Sequence, residues 1–169
     1  MERMRIRPAT PEDFVRLAAI ERAAAARFDP QDLPSALSAD TLPAEELSAA
    51  CAASLLWAAA DADGVHGFLL ARRHDDSLHL QEMDVCPSRQ GQGLGSALIA
   101  HAEAVARRLG LRRLTLTTFE HLAWNAPFYQ GRGFQSIAAA DCPPWLRAVL
   151  RAEAEHGLRR RVAMFKPLA

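Results

Sequence analysis

The segment Val85-Cys86-Pro87-Ser88-Arg89-Gln90-Gly91-Gln92-Gly93-Leu94-Gly95-Ser96 carries an apolar strand pattern into alternating glycines and then into a helix. A loop crowded with glycines turns backbone N–H groups inward without Cβ clashes, and a helix beginning near Leu94 adds unpaired N–H donors and the positive end of its dipole. That is the chemistry of an anion cradle, with a nucleotide-type anion as its guest. The spacing Gly91-x-Gly93-x-Gly95 is not the Gly-x-Gly-x-x-Gly of a dinucleotide site. Nor is it a P-loop, because Lys166 is the only lysine in the chain and lies far from the loop. Taken alone, the glycines fit a ligand-free turn as well as a phosphate site. Other reactive groups flank them: Glu82 and Asp84 on the preceding strand, Arg89 in the loop, and Asn125 and the sole tyrosine, Tyr129, downstream. A carboxylate at the centre of an otherwise apolar strand is costly unless solvated or paired, so Glu82 reads as lining a site.

These groups are positioned by elements whose patterns are legible along the chain. Residues 4–7 read as a strand, and Thr10-Pro11-Glu12-Asp13 signals a helix start, with a hydroxyl cap, a proline in the first turn and acids beside it. Phe14, Leu17, Ala18 and Ile20 give that helix an apolar face. A proline-rich connection, 27–43, follows as a candidate substrate lip, then a second helix over 44–53. Residues 55–60 and 65–71 read as a hairpin across Asp61-Ala62-Asp63-Gly64, and 78–86 as the next strand. After the glycines, Leu94, Leu98, His101, Val105 and Leu109 share one helix face, with Gly110 placed to end it. Residues 111–118 alternate as a strand parallel to the one before the helix. A strand over 134–138, an amphipathic helix over 144–156 and a strand over 159–166 complete the chain. Alternation puts Glu82 and Asp84 on one face and Gln81, Met83 and Val85 on the other, unless a bulge intervenes. Hairpins combined with one parallel crossover imply an α+β or three-layer α/β sheet with helices on both faces.

Composition narrows the function classes. A chain of 169 residues, 50% of them hydrophobic, fits one domain spanning 1–169. Twenty basic and twenty acidic residues cancel, so no field favours nucleic acid or an anionic membrane surface as a partner. Cys51, Cys86 and Cys142 are widely separated and read as reduced thiols of a cytoplasmic protein, and neither they nor the six histidines show metal-ligand spacing. His79 reads as a hairpin-surface residue, with a reserve proton-accepting role as the alternative. The apolar runs are too short for a membrane span. Trp145, Leu146, Val149 and Leu150 form a stripe that suits a homodimer interface or simply a cover for the sheet.

In these surroundings Gln90-Gly91-Gln92-Gly93-Leu94-Gly95 resembles the central motif of the GNAT superfamily of acetyl-CoA-dependent N-acetyltransferases, Gln or Arg followed by x-x-Gly-x-Gly or Ala. Residues 125–134 resemble the family's short helix carrying a Tyr four residues before a Gly-Phe pair, and the likeness extends over nearly the whole chain. The resemblance implies a GNAT-like three-layer mixed β-sheet of about seven strands, splayed between the fourth and fifth, with helices on both faces. Here the splay falls between 78–86 and 111–118, with the pantetheine arm of acetyl-CoA in the gap.

By the same resemblance, the backbone from Gln90 through Gly91, Gln92, Gly93, Leu94 and Gly95 to Ser96 holds the pyrophosphate. Met83, Asp84 and Val85 pair with pantetheine like an added strand, and Arg89 either adds a charge-assisted contact or is solvated. Glu82 is the implied general base, with Asp84 second and a water chain as a further route. Tyr129 is the implied donor to the leaving sulfur, since a phenol with a pKa of about 10 stays protonated at neutral pH. The family's asparagine seven residues before this tyrosine is Leu122 here, which leaves Asn125 as a candidate helix N-cap or cofactor contact. Thr117, Thr118 and Trp124 are candidates for the acceptor side, Trp124 being equally suited to packing.

The implied reaction is direct attack of a primary amine, from a small molecule or a peptide, on acetyl-CoA in a ternary complex. Cys86 adjoins the cofactor strand, but no His or acid at a recognisable offset marks it as an activated nucleophile. A non-catalytic acyl-CoA-binding module is the alternative, and retention of Glu82 and Tyr129 argues against it. The connections that would select the acceptor, 27–43 and 138–144, carry no specific motif.

Overall fold

In the computed structural model, which describes residues 3–34, 37 and 40–169, seven strands form a mixed sheet. They are β1 (Arg5–Pro8), β2 (Leu56–Asp61), β3 (Gly64–His74), β4 (Ser77–Val85), β5 (Arg113–Phe119), β6 (Gln135–Ile137) and β7 (Arg161–Pro167). The helices are α1 (Phe14–Ala25), α2 (Ala44–Ala52), α3 (Leu94–Arg108), α4 (Ala126–Gln130) and α5 (Pro144–Glu155). Part of the expected substrate lip, positions 35, 36, 38 and 39, lies outside the described residues. The sheet order is β1-β2-β3-β4-β5-β7-β6, every neighbouring pair antiparallel except β4 and β5. A crossover carried by α3 joins that parallel pair, as parallel strands require.

Side-chain alternation sorts the helices onto two faces. Trp57, Ala59, Leu69, Leu80, Leu114 and Leu116 bury with Leu94, Leu98 and Ala102 of α3 and with Ala126 of α4. Leu56, Ala58, Phe68 and Leu70 point the other way, onto Leu17 and Ile20 of α1 and Leu47 of α2. The stripe on α5 lies on the sheet, with Leu146, Val149 and Leu150 packed against Ala163 of β7 and Ile137 of β6. Leu109, expected on the buried face of α3, is 41% exposed because the helix ends at Arg108 and Gly110 turns the chain with φ +73°. No helix among the described residues is long and apolar enough to cross a membrane.

Two irregularities in β4 create the site. Leu70 pairs with Glu82 and Ala71 with Leu80, so Gln81 is an extra residue, a β-bulge. Leu78 and Leu80 face the α3 side, and the bulge resets the parity so that Met83 and Val85 return to that side. Gln81 does not join them as simple alternation predicts: its Nε2 donates to Glu46 Oε2 of α2 at 2.8 Å. Glu82 and Asp84 thereby turn toward α1, in register with Leu70 and Phe68. The second irregularity is the expected splay. The β4–β5 ladder runs only over Ser77↔Arg113, Leu78↔Leu114 and His79↔Thr115, and His79 Nδ1 lies 3.0 Å from Thr115 Oγ1 at the fork. Beyond it, β4 keeps β3 on one side and has no strand on the other among the described residues.

Candidate active site

Two cavities, of about 650 and 540 Å³, meet at the fork and share Phe28, Met83, Asp84, Asn125 and Tyr129 as common walls. The smaller is built around the glycine loop. Gly93 is the N-cap of α3 with φ +85° and Gly91 has φ +79°, a left-handed conformation that costs other residues about 1–2 kcal/mol each. No side chain caps the helix, and its first backbone bond is Ala97 N–H to Gly93 O at 3.0 Å. The N–H groups of Leu94, Gly95 and Ser96 therefore have no intrahelical acceptor. At Gly95 a Cβ would stand in van der Waals contact with Phe128 Cζ at 3.4 Å and Met83 Cε at 3.5 Å, so Phe128 and Met83 close over the start of α3.

Of the residues expected to hold the donor, Met83, Asp84, Val85, Arg89, Gln90, Gly91, Gly93, Leu94, Gly95, Ser96, Asn125 and Tyr129 line this cavity. Gln92 does not, and is exposed. Arg89 already has partners: its guanidinium pairs with Asp61 at 3.1 Å and Asp63 at 3.5 Å, tying the glycine loop to the β2–β3 turn. Two further cations, Arg132 and Arg27, stand on the cavity wall beside it. Arg132 donates through Nε to Ser96 Oγ at 2.7 Å and stacks 3.6 Å over Phe128. Arg27 bonds Gln90 and stacks 5.2 Å from the Trp124 ring. Free N–H groups, a helix N-terminus and two guanidinium groups fit a phosphate-bearing donor. Trp124, weighed for the acceptor side, lines the donor cavity instead, 42% exposed and 5.8 Å from Phe28.

Asn125 stands at the N-cap of α4, yet its side chain does not cap. Its Oδ1 accepts from Thr118 Oγ1 at 2.6 Å and from the Phe119 N–H at 3.5 Å, which pins α4 to the end of β5 and so places Tyr129. Tyr129 sits between Phe128 and Phe134 in edge contacts of 5.2 and 5.6 Å. Burial raises its pKa, reinforced by Asp84 and Glu82, so the phenol is protonated at neutral pH.

The larger cavity brings together Glu82, Asp84 and an acid that the sequence reading passed over, Glu21 of α1. Their carboxylate oxygens lie within 4.8 Å of one another, which no other group of three His, Cys, Asp or Glu side chains achieves among the described residues. Glu21 Oε1 accepts from the Leu42 N–H at 2.9 Å. Burial, then the charge of Glu82, pushes Glu21 up to about 7. Asp84 rises well above the carboxylate range through burial, then through Glu82 and Glu21. Its Oδ2 is buried without a hydrogen-bond partner. Thr117 and Thr118 line this cavity as expected.

His79 is a correction: it is 4% exposed rather than on a hairpin surface, and burial, with His74 and Arg72 nearby, pushes it down to about 4. It is a neutral pin at the fork, too weak a base for neutral pH. The Cys86 thiol is drawn below its usual value, chiefly by Ser88 Oγ at 3.4 Å, and Arg16 is its other side-chain partner, at 3.9 Å.

The raised Glu21 carboxyl couples folding to pH. Between the ordinary value of 4.5 and about 7 the folded chain binds more protons at Glu21 than the unfolded chain, so this group costs stability as pH rises through that window. Glu21→Gln keeps an acceptor for the Leu42 N–H and removes the titration. Thermal melts are expected to show a higher Tm than the parent at about pH 8 and equal values at about pH 4. Equal values at both would refute the coupling.

The model of the Acetyltransferase (GNAT) family matches residues 19–134, and the chain belongs to that family. Among solved structures it is similar to N-acetylglutamate synthase from Neisseria gonorrhoeae complexed with coenzyme A and N-acetyl-glutamate. The TM-score is 0.78 at 21% identity, covering 99% of this chain and 35% of that one, so the chain spans about a third of the length of the Neisseria protein. It is similar over full lengths to the PaiA N-acetyltransferase from Thermoplasma acidophilum in complex with coenzyme A, with TM-score 0.73, 17% identity, and 98% and 99% of the two chains covered. A third likeness is to the ribosomal-protein-S18-alanine N-acetyltransferase from Escherichia coli, with TM-score 0.67, 18% identity, and 99% and 95% coverage. Membership of the family supports an acyltransferase, and the forked seven-stranded sheet is the fold these structures share.

Proposed function

We propose that the protein transfers an acetyl group from acetyl-CoA to a primary amine by direct attack in a ternary complex. The observation that carries this reading is the meeting of the two cavities at Asp84 and Tyr129, one lined by a phosphate cradle and the other by carboxylates. Acetyl-CoA supplies an activated thioester. The N–H groups of the glycine loop, with Arg132, hold its pyrophosphate, and the free edge of β4 at Met83 to Val85 pairs with its pantetheine arm. Glu82 takes the proton from the incoming ammonium, because burial and two neighbouring carboxyls hold Asp84 protonated. The freed amine forms the new C–N bond as the C–S bond breaks, and Tyr129 donates its proton to the departing sulfur. Solvent returns that proton as the product nitrogen sheds its own.

The test is a panel of amines with acetyl-CoA, read as free-thiol release. Amine-dependent release with intersecting initial-rate lines is the expected result. Acetyl-CoA binding without amine-dependent release, or an acetyl group found on Cys86 before acceptor is added, would overturn the reading.

A further inference from the structure

Six carboxyl groups line the larger cavity against two guanidinium groups among the described residues, those of Arg72 and Arg161. Neither guanidinium offsets the inner acids. Arg161 is held by Glu153 at 3.0 Å and stacks 4.5 Å from the Phe119 ring, while Arg72 is exposed. Of the cavity's three histidines, His79 is buried and neutral, His74 is stacked on Trp145 at 4.1 Å, and exposed His156 has its Nδ1 2.7 Å from Ala152 O.

The acids run along one wall. Asp84, at the junction, is followed by Glu82 and Glu21 within 4.8 Å, and Glu46 lies close enough to Glu21 to act on it electrostatically. Asp84 and Gln81 line this cavity, and Asp84 Oδ2 and Gln81 Oε1 are each buried without a hydrogen-bond partner. Carboxyl groups crowded out of water repel one another and lose hydration, a cost that a bound cation offsets. A single reacting ammonium by Glu82 and Asp84 leaves Glu21, which accepts from the Leu42 N–H, and Glu46, which accepts from Gln81 Nε2, without a cationic partner. The volume of about 650 Å³ suits a small extended ligand, and Leu42 and Val149 offer apolar surface to its methylenes.

We propose that the acceptor is a diamine or polyamine, its second ammonium held by Glu21 and Glu46 while the reacting nitrogen lies beside Glu82 and Asp84. This deepens, and rests on, the acetyl-transfer reading. An acceptor with a carboxylate in place of the second ammonium would set a negative group against Glu21 and Glu46, and like charges in a partly buried site repel.

Three acceptors of matched length decide the matter: 1,4-diaminobutane, butylamine and 4-aminobutyrate, compared by kcat/KM for thiol release. The diamine is expected to exceed each of the others by at least about tenfold, with Glu46→Gln narrowing that ratio. Calorimetry with N,N,N′,N′-tetramethyl-1,4-diaminobutane, which accepts no stable acetyl group, reads the cation site without turnover. It is expected to bind the parent protein and to bind Glu21→Gln about tenfold more weakly. A butylamine or 4-aminobutyrate rate equal to the diamine rate, or no binding of the tetramethyl compound, overturns the proposal. If no amine releases thiol, the acetyl-transfer reading fails, and the calorimetry still decides whether the acidic wall holds a dication.

Discussion

Replacing Tyr129 with phenylalanine is expected to lower kcat by roughly two to three orders of magnitude while CoA affinity stays within about twofold. The ring makes the packing contacts, against Phe128 and Phe134, and phenylalanine keeps both. What the variant loses is a hydroxyl at the junction of the two cavities, in surroundings that keep it protonated. In the proposed mechanism its effect belongs to the breaking of the C–S bond, so a thioester with a more acidic thiol should narrow the deficit. Single-turnover rates with calorimetry of CoA separate the two quantities, and an unchanged kcat would remove Tyr129 from the chemistry.

Glu82→Gln is expected to lower kcat/KM by roughly a hundredfold or more near neutral pH, where an aliphatic amine is almost wholly protonated and needs a proton acceptor. The deficit should shrink as pH approaches about 10, because the amine then arrives neutral. A variant that only disturbed packing would show a deficit independent of pH. If the Asn variant of Asp84, rather than Glu82→Gln, shows the pH-dependent recovery, the base has been placed one carboxyl away from its true position.

Local patterns carried much of this architecture. The hydroxyl, proline and acids at Thr10 to Asp13, the glycines bounding α3 and the Thr-Leu alternation of β5 each depend on neighbours within a few residues, and each element formed where those patterns lie. The parity of β4 was not readable in the same way. Whether Gln81 bulges is decided by register with β3, so the sequence left open which face it takes. The missed site residues share one property, dependence on distant partners. Glu21 meets Glu82 and Asp84 across the helix–sheet interface, and Arg132 reaches back to Ser96. Arg89 is matched with two acids of a turn nearly thirty positions earlier, so its charge looked free in the sequence. A histidine near a hairpin reads as exposed until β5 is laid beside it, and β5 is what buries His79. Glu21 alone had a local signal: an acid next to Ile20, on the apolar face of a helix read as amphipathic.

The fork also divides the sheet mechanically. The strands β1 to β4 and the strands β5 to β7 are zipped to each other only at the Ser77-to-His79 end, with the His79–Thr115 contact as the last stitch. Such a molecule has two half-sheets on a short seam, and the seam is where cooperativity between them is weakest. A ligand laid along the open edge of β4 extends that seam by supplying backbone partners where β5 has diverged. The donor would then act as a structural splice as well as a reactant: amide hydrogens of β4 and β5 beyond the fork should exchange as two separate populations in the free protein and slow together when CoA is bound.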